Sequence, residues 1–168
     1  HGQHSRPSWP LLRGQKEAVE ESALRRQLLA PSQRSRNNAE RSMTRQIVFT
    51  QKAAKPPATY SQAVKAAGLV FVSGTSPADA VTGAIIGTTI QEQTRQCLTN
   101  VQAILEAAGS SLAKAVSFTV VLADEDDFAG MNEEWLRWFP SDPPARQGAK
   151  LPARIPGLKI SIAAIAEG

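Results

Sequence analysis

The chain has 168 residues, the length of one ordinary domain with room for an appendage. Hydrophobic residues make up 42% of it, enough for a core, yet no apolar run approaches the roughly 18 residues a membrane span requires. The net charge of +4 belongs to residues 1–42, which hold eight basic against four acidic side chains; residues 43–168 hold eleven of each, which argues against a nucleic-acid or membrane partner for that part.

Both histidines, His1 and His4, lie in the leading arm, and Cys97 is the single cysteine. Residues 43–168 therefore supply no intrachain disulfide, no His-rich zinc site, no Ser-His-Asp triad and no Cys-His pair. Chemistry there is left to carboxylates, Arg, Tyr, Ser, backbone groups and water, with no cofactor or metal expected. The lack of disulfides fits a reducing compartment, the cytoplasm ahead of the mitochondrion.

In chain order, residues 1–42 are rich in Arg, Gln, Ser and Pro, with weak helical character from Gln15 to Leu29. Three readings stay open: a disordered arm, an organelle transit segment with more glutamate than such segments carry, or an extension ahead of a natural start at Met43. Residues 43–168 are then the domain. Gln46–Thr50 alternates and reads as a strand. After the breaker Lys55–Thr59, Tyr60–Lys65 and Leu69–Ser73 flank Ala66-Ala67-Gly68 as a hairpin. Gly74–Gly87 is loop.

Thr89-Ile90-Gln91-Glu92 has capping-box spacing ahead of an amphipathic helix that ends at Gly109. The helix presents Cys97, Leu98, Val101, Ile104 and Leu105 on one face, where Cys97 is expected buried and inert. Lys114–Leu122 is a strand. Asp124 opens a second helix with Phe128, Met131, Trp135, Leu136 and Phe139 inward, ended by Pro140. The acids Asp124–Asp127 suit a helix N-terminus and need no metal. Pro143-Pro144 lead into an extended segment, and Leu158–Ala166 closes the domain as a strand. The order βββαβαββ predicts an α+β fold, a five- or six-stranded mixed sheet with two helices on one face. The other face keeps apolar residues such as Ala163 and Ile165, so a further subunit is expected to cover it.

Several of these segments together resemble the RidA (YjgF-type) family, also known as endoribonuclease L-PSP. They are Tyr60-Ser61-Gln62-Ala63, Gly68 through Gly74, the helix Gln93–Gly109, Asp127-Phe128-Ala129 through Asn132, Pro144-Ala145-Arg146 and Lys159–Ala166. The resemblance spans about residues 46 to 166 in the family's order. It implies a chorismate-mutase-like fold, a homotrimer with ligand clefts between subunits, and hydrolysis of reactive enamines and imines. Substrates of that kind are 2-iminopropanoate and 2-iminobutanoate, and the products are 2-oxo acids and ammonia.

The resemblance also implies site residues. Arg146 matches the family arginine, whose planar fork suits a carboxylate. Tyr60, the only tyrosine, matches the site tyrosine; Ser73 and Gly74 match the pair whose backbone lines the cleft; Asn132 fits the family as well. Two positions depart from it. The last strand of imine-hydrolysing members carries a glutamate that positions or activates water, and here that position is Ser161, which hydrogen-bonds water but accepts no proton at neutral pH without a base. The position two after the arginine, often cysteine, is Gly148, and Gln147–Pro156 departs in sequence. Besides the deaminase, a non-catalytic trimer that binds small carboxylates is a second reading. A ribonuclease or translation inhibitor is a third, for which a neutral domain without histidine offers little.

Overall fold

The computed structural model describes residues 44–152 and 155–168; the arm and its weak helix lie outside the described residues. The elements are β1 (Gln46–Val48), β2 (Ala63–Ala66), β3 (Leu69–Thr75), α1 (Ile90–Ala107), β4 (Ala115–Leu122), α2 (Phe128–Trp138), β5 (Ala145–Lys150) and β6 (Ile160–Glu167). This is the βββαβαββ order that the patterning predicts. The six strands form one sheet in the order β1-β2-β3-β6-β4-β5, and every neighbouring pair is antiparallel except β4 with β5.

The hairpin turn between β2 and β3 holds Ala67 and Gly68 at φ of 51° and 76°, the left-handed geometry that matches strand twist. The capping box forms as expected: the Thr89 hydroxyl accepts from the Glu92 amide, and the Glu92 carboxylate accepts from the amides of Thr89 and Thr88. Those amide bonds hold the Glu92 carboxyl below its ordinary pKa. The helices meet at Gly130, where an added Cβ would lie 2.6 Å from the Ile90 Cγ2, so only glycine allows this approach.

The core lies between the helices and one sheet face. Leu98, Val101, Ile104 and Leu105 of α1 pack with Val70, Phe118, Val120, Ile160 and Ile162 of the strands and with Met131 and Trp135 of α2. Phe118, Trp135 and Phe139 form an aromatic group with centroids 4.9–5.4 Å apart, Phe118 meeting Trp135 edge-on at 87°. Cys97 is buried as expected, and desolvation pushes its thiol pKa far up, so it is no nucleophile. On the opposite face Ile47, Val64, Phe71 and Ile165 pair across four strands as an apolar row, with Ile47 and Phe71 exposed.

Several boundaries differ from the patterning, each for a local reason. β1 stops at Val48 because the Thr50 amide donates to the Gln62 side chain at 2.7 Å. β2 begins only at Ala63, since Gln62 is held by the carbonyls of Thr50, Ala53 and Ala54. β6 begins at Ile160 because the Lys159 amide donates to Gln93 instead of a strand. Asp124 caps a single 3-10 turn, Glu125–Asp127, ahead of α2. Leu136 and Phe128, expected inward, are 65% and 51% exposed. Leu98→Ala is expected to cost about 2–5 kcal/mol, whereas Leu136→Ala should change stability by less than about 0.5 kcal/mol. Urea unfolding midpoints compared at constant slope check both.

Candidate active site

Because β4 and β5 are parallel, the chain between them must cross over, and α2 is that crossover. Residues paired in register share a face: Arg146 pairs with Phe118, whose side chain is in the core, so Arg146 points to the helix side of the edge strand β5. There α2 receives it. The guanidinium carbon sits 4.8 Å from the Trp135 ring centroid and 5.9 Å from that of Phe128. One Nη donates to the Asn132 Oδ1 at 2.7 Å and the other to the Met131 Sδ at 3.5 Å. Arg146 and Asn132, two expected site residues, are thus brought together.

Among the described residues no carboxylate lies within ion-pair distance of Arg146. Partial burial lowers its pKa from the ordinary arginine value, and no anion offsets the effect. An arginine remains cationic regardless. The result is an oriented positive charge with N–H donors still open to a ligand.

The helix that holds it is fixed by Glu134, a residue the sequence reading missed. Its carboxylate is 2% exposed and accepts two bonds from Arg95 of α1, at 2.8 and 2.9 Å, one from Arg137 and one from the Trp138 indole N–H. These contacts, the Arg95 hydrogen bonds foremost, hold its pKa below the ordinary 4.5 against the opposing effect of burial. A glutamate among apolar helix positions reads as solvent-facing until Arg95, 39 residues earlier, is known to meet it.

The remaining expected residues gather elsewhere. β3 carries a bulge between Val72 and Thr75, where Ser73 and Gly74 both face the single residue Ala163. A Cβ on Gly74 would come within 3.1 Å of the Ser161 Oγ, so Gly74 and Ser161 are direct neighbours. Ser73 has both its protons committed: its amide donates to the Gln62 carbonyl at 3.0 Å and its hydroxyl to the Ser61 carbonyl at 2.8 Å. Tyr60, Gln62, Ser73 and Gly74 line a cavity of about 150 Å³, with Lys55 to Pro57 as its outer wall.

One chain does not join the two groups. Ser161 pairs with Val121, which alternates with the buried Val120 and Leu122, so Ser161 lies on the sheet face opposite Arg146. β3 and β5 are separated by β6 and β4, about 14 Å at ordinary strand spacing. Among the described residues no group of three or more His, Cys, Asp or Glu side chains is placed to hold a metal ion, and no helix is long and apolar enough to cross a membrane.

The fold is that of the chorismate-mutase-like α+β proteins, a six-stranded mixed sheet carrying two helices on one face. Residues 50–168 match the family described as Endoribonuclease L-PSP, and the chain belongs to that family, the RidA/YjgF group. A RutC family protein of Pyrococcus horikoshii is 45% identical over 73% of this chain and 97% of its own length. The 2-iminobutanoate/2-iminopropanoate deaminase of Capra hircus is 36% identical over 74% of this chain and 91% of its own. The crystal structure of Escherichia coli TdcF with bound serine superposes with a TM-score of 0.67 at 34% identity, covering 73% of this chain and 98% of that one.

Glu134 makes stability depend on pH. A carboxyl whose folded pKa is depressed stabilises the fold above its unfolded pKa, and that contribution is lost as pH falls through the folded value. Glu134→Gln should therefore be less stable than wild type at about pH 7 and approach it at about pH 3. A gap in urea midpoints that stays constant with pH would contradict the assigned role.

Proposed function

We propose that the protein hydrolyses small 2-imino acids to 2-oxo acids and ammonia, with Arg146 binding the substrate carboxylate. The observation that carries this reading is a guanidinium held in a fixed orientation by Trp135 and Asn132, with no protein carboxylate partner among the described residues. Membership of a family with relatives named as imine deaminases, and a relative crystallised with serine, supports the choice of ligand.

Of the five guanidinium N–H donors, Asn132 and Met131 engage two, which leaves a fork for the two carboxylate oxygens. Tyr60, the Ser73-Gly74 bulge and Ser161 are contributed by a neighbouring copy in a homotrimer. The apolar row Ile47, Val64, Phe71 and Ile165 supplies the surface on which copies pack. Water then adds its oxygen to C2 as the C=N electrons and one water proton pass to nitrogen; the carbinolamine so formed collapses, its hydroxyl proton moving to nitrogen through solvent as the C–N bond breaks. Ammonia leaves and the C2 carbonyl remains. Ser161 hydrogen-bonds the water without taking its proton, so positioning contributes most of the rate.

The assay generates 2-iminobutanoate in situ with a dehydratase and traps unhydrolysed imine with semicarbazide. Wild type accelerates imine loss; Arg146→Ala lowers kcat/KM about 10²-fold, and Arg146→Lys restores only part of it. Ser161→Glu raises kcat by supplying a base, by about 10²-fold or more. Acceleration that survives Arg146→Ala would overturn the site assignment. No acceleration by wild type, with 2-oxobutanoate still bound through Arg146, would leave a carboxylate-binding protein in place of an enzyme.

A further inference from the structure

Beside Arg146 lies a second feature that the carboxylate does not use. On the helix side of β5, Arg146, Gly148 and Lys150 stand in sequence against Phe118, Val120 and Leu122 of β4. The middle position has no side chain. A Cβ built on Gly148 meets nothing closer than the Val120 carbonyl oxygen at 3.9 Å, so the space above it is open. That space is a trough of about 450 Å³ lined by Leu122, Phe128, Gly148, Ala149 and the flanking Glu125 and Lys150. Its far end is closed by the Lys150–Glu125 ion pair at 2.8 Å.

Phe128 belongs to both places. Its ring lies 5.9 Å from the Arg146 guanidinium carbon and also walls the trough, and it is half exposed although the helix pattern would bury it. An aromatic ring in that position is a surface an apolar ligand group can cover, with a free-energy gain that grows with the area removed from water. The trough opens two residues along β5 from the arginine, about 6.6 Å of strand rise. A branched butyl or aryl-methyl group on C2 of a carboxylate-bound acid spans more of that distance than a methyl or ethyl group does.

We propose that the trough floored by Gly148 is a side-chain subsite, and that the preferred ligands are 2-imino and 2-oxo acids with bulky apolar side chains. The inference rests on the reading that Arg146 binds the carboxylate. Gly148 then determines specificity by leaving room, and Leu122 and Phe128 supply the apolar contact. The enzyme acts downstream of reactions that release imines from large apolar amino acids.

The test titrates 4-methyl-2-oxopentanoate and 2-oxobutanoate, stable product acids, into the full chain by calorimetry. Wild type binds the larger acid about 10-fold tighter. Gly148→Val fills the trough; its β-branched side chain suits a strand, and among the described residues its Cβ meets only the Val120 carbonyl oxygen at ordinary contact distance. It should weaken the larger acid about 10-fold or more and leave 2-oxobutanoate essentially unchanged, with Gly148→Ala intermediate. An unchanged urea midpoint shows that each variant is folded. Equal affinity of wild type for the two acids, or equal weakening of both by Gly148→Val, would overturn the subsite while leaving the carboxylate reading intact. Binding of both acids that is unaffected by Arg146→Ala, or failure of both to bind wild type, would overturn the carboxylate reading and the subsite with it.

Discussion

Trp135 is the contact on which the rest of the arrangement depends. It packs edge-on against Phe118 in the middle of the sheet and close to Phe139 at the end of α2, and it carries the Arg146 guanidinium over its ring. A single buried indole thereby couples the core of β4 to the charged residue of the edge strand β5. An arginine on an exposed edge strand would ordinarily sample many rotamers and lose entropy on ordering. Here the aromatic face and the Asn132 carbonyl oxygen set its direction before any ligand arrives, which is the condition for strong binding of a small anion.

The surrounding polar contacts serve the same end. Glu134, next to Trp135 in the chain, ties α2 to α1 through Arg95, and Gly130 lets the two helices come close enough for that bond. Lys159 pairs with Asp127 at 3.2 Å and Lys150 with Glu125 at 2.8 Å, so the acidic turn before α2 is fastened to β5 and to the residue ahead of β6. These pairs are exposed to different degrees and individually contribute little stability, but together they fix where α2 begins. Elsewhere the bulge at Ser73-Gly74 and Gln62 line a separate, smaller cavity that also reaches Ile104 of α1.

Much of the fold was legible because strands and helices differ in hydrophobic period. The alternation Ile160, Ile162, Ala164, Ala166 matches the buried face of β6, and Thr89 with Glu92 marks the start of α1. The capping box needs only residues close in sequence, and so does the Ala67-Gly68 turn. What escaped was decided by partners far along the chain. Gln62 ends β1 early and delays β2 by bonding backbone groups of residues 50–54, and Glu134 is buried because Arg95 reaches it. The inward assignment of Leu136 failed because Met131, Glu134 and Trp135 take the buried face of α2. The site residues came from resemblance between motifs; periodicity alone left Arg146 as one cation among several. Nor does alternation in single strands reveal that Ser161 and Arg146 lie on opposite faces, since that depends on the β4 register shared by β5 and β6.

If Arg146 is an open, oriented receptor for a carboxylate, a crystal grown with 2-oxobutanoate will show both carboxylate oxygens within about 3 Å of its guanidinium. The contacts to Trp135 and Asn132 will be unchanged, with Tyr60 and Ser161 of an adjacent copy across the cleft. A protein carboxylate from an adjacent copy seated on Arg146, or 2-oxobutanoate bound away from it, would rule that role out.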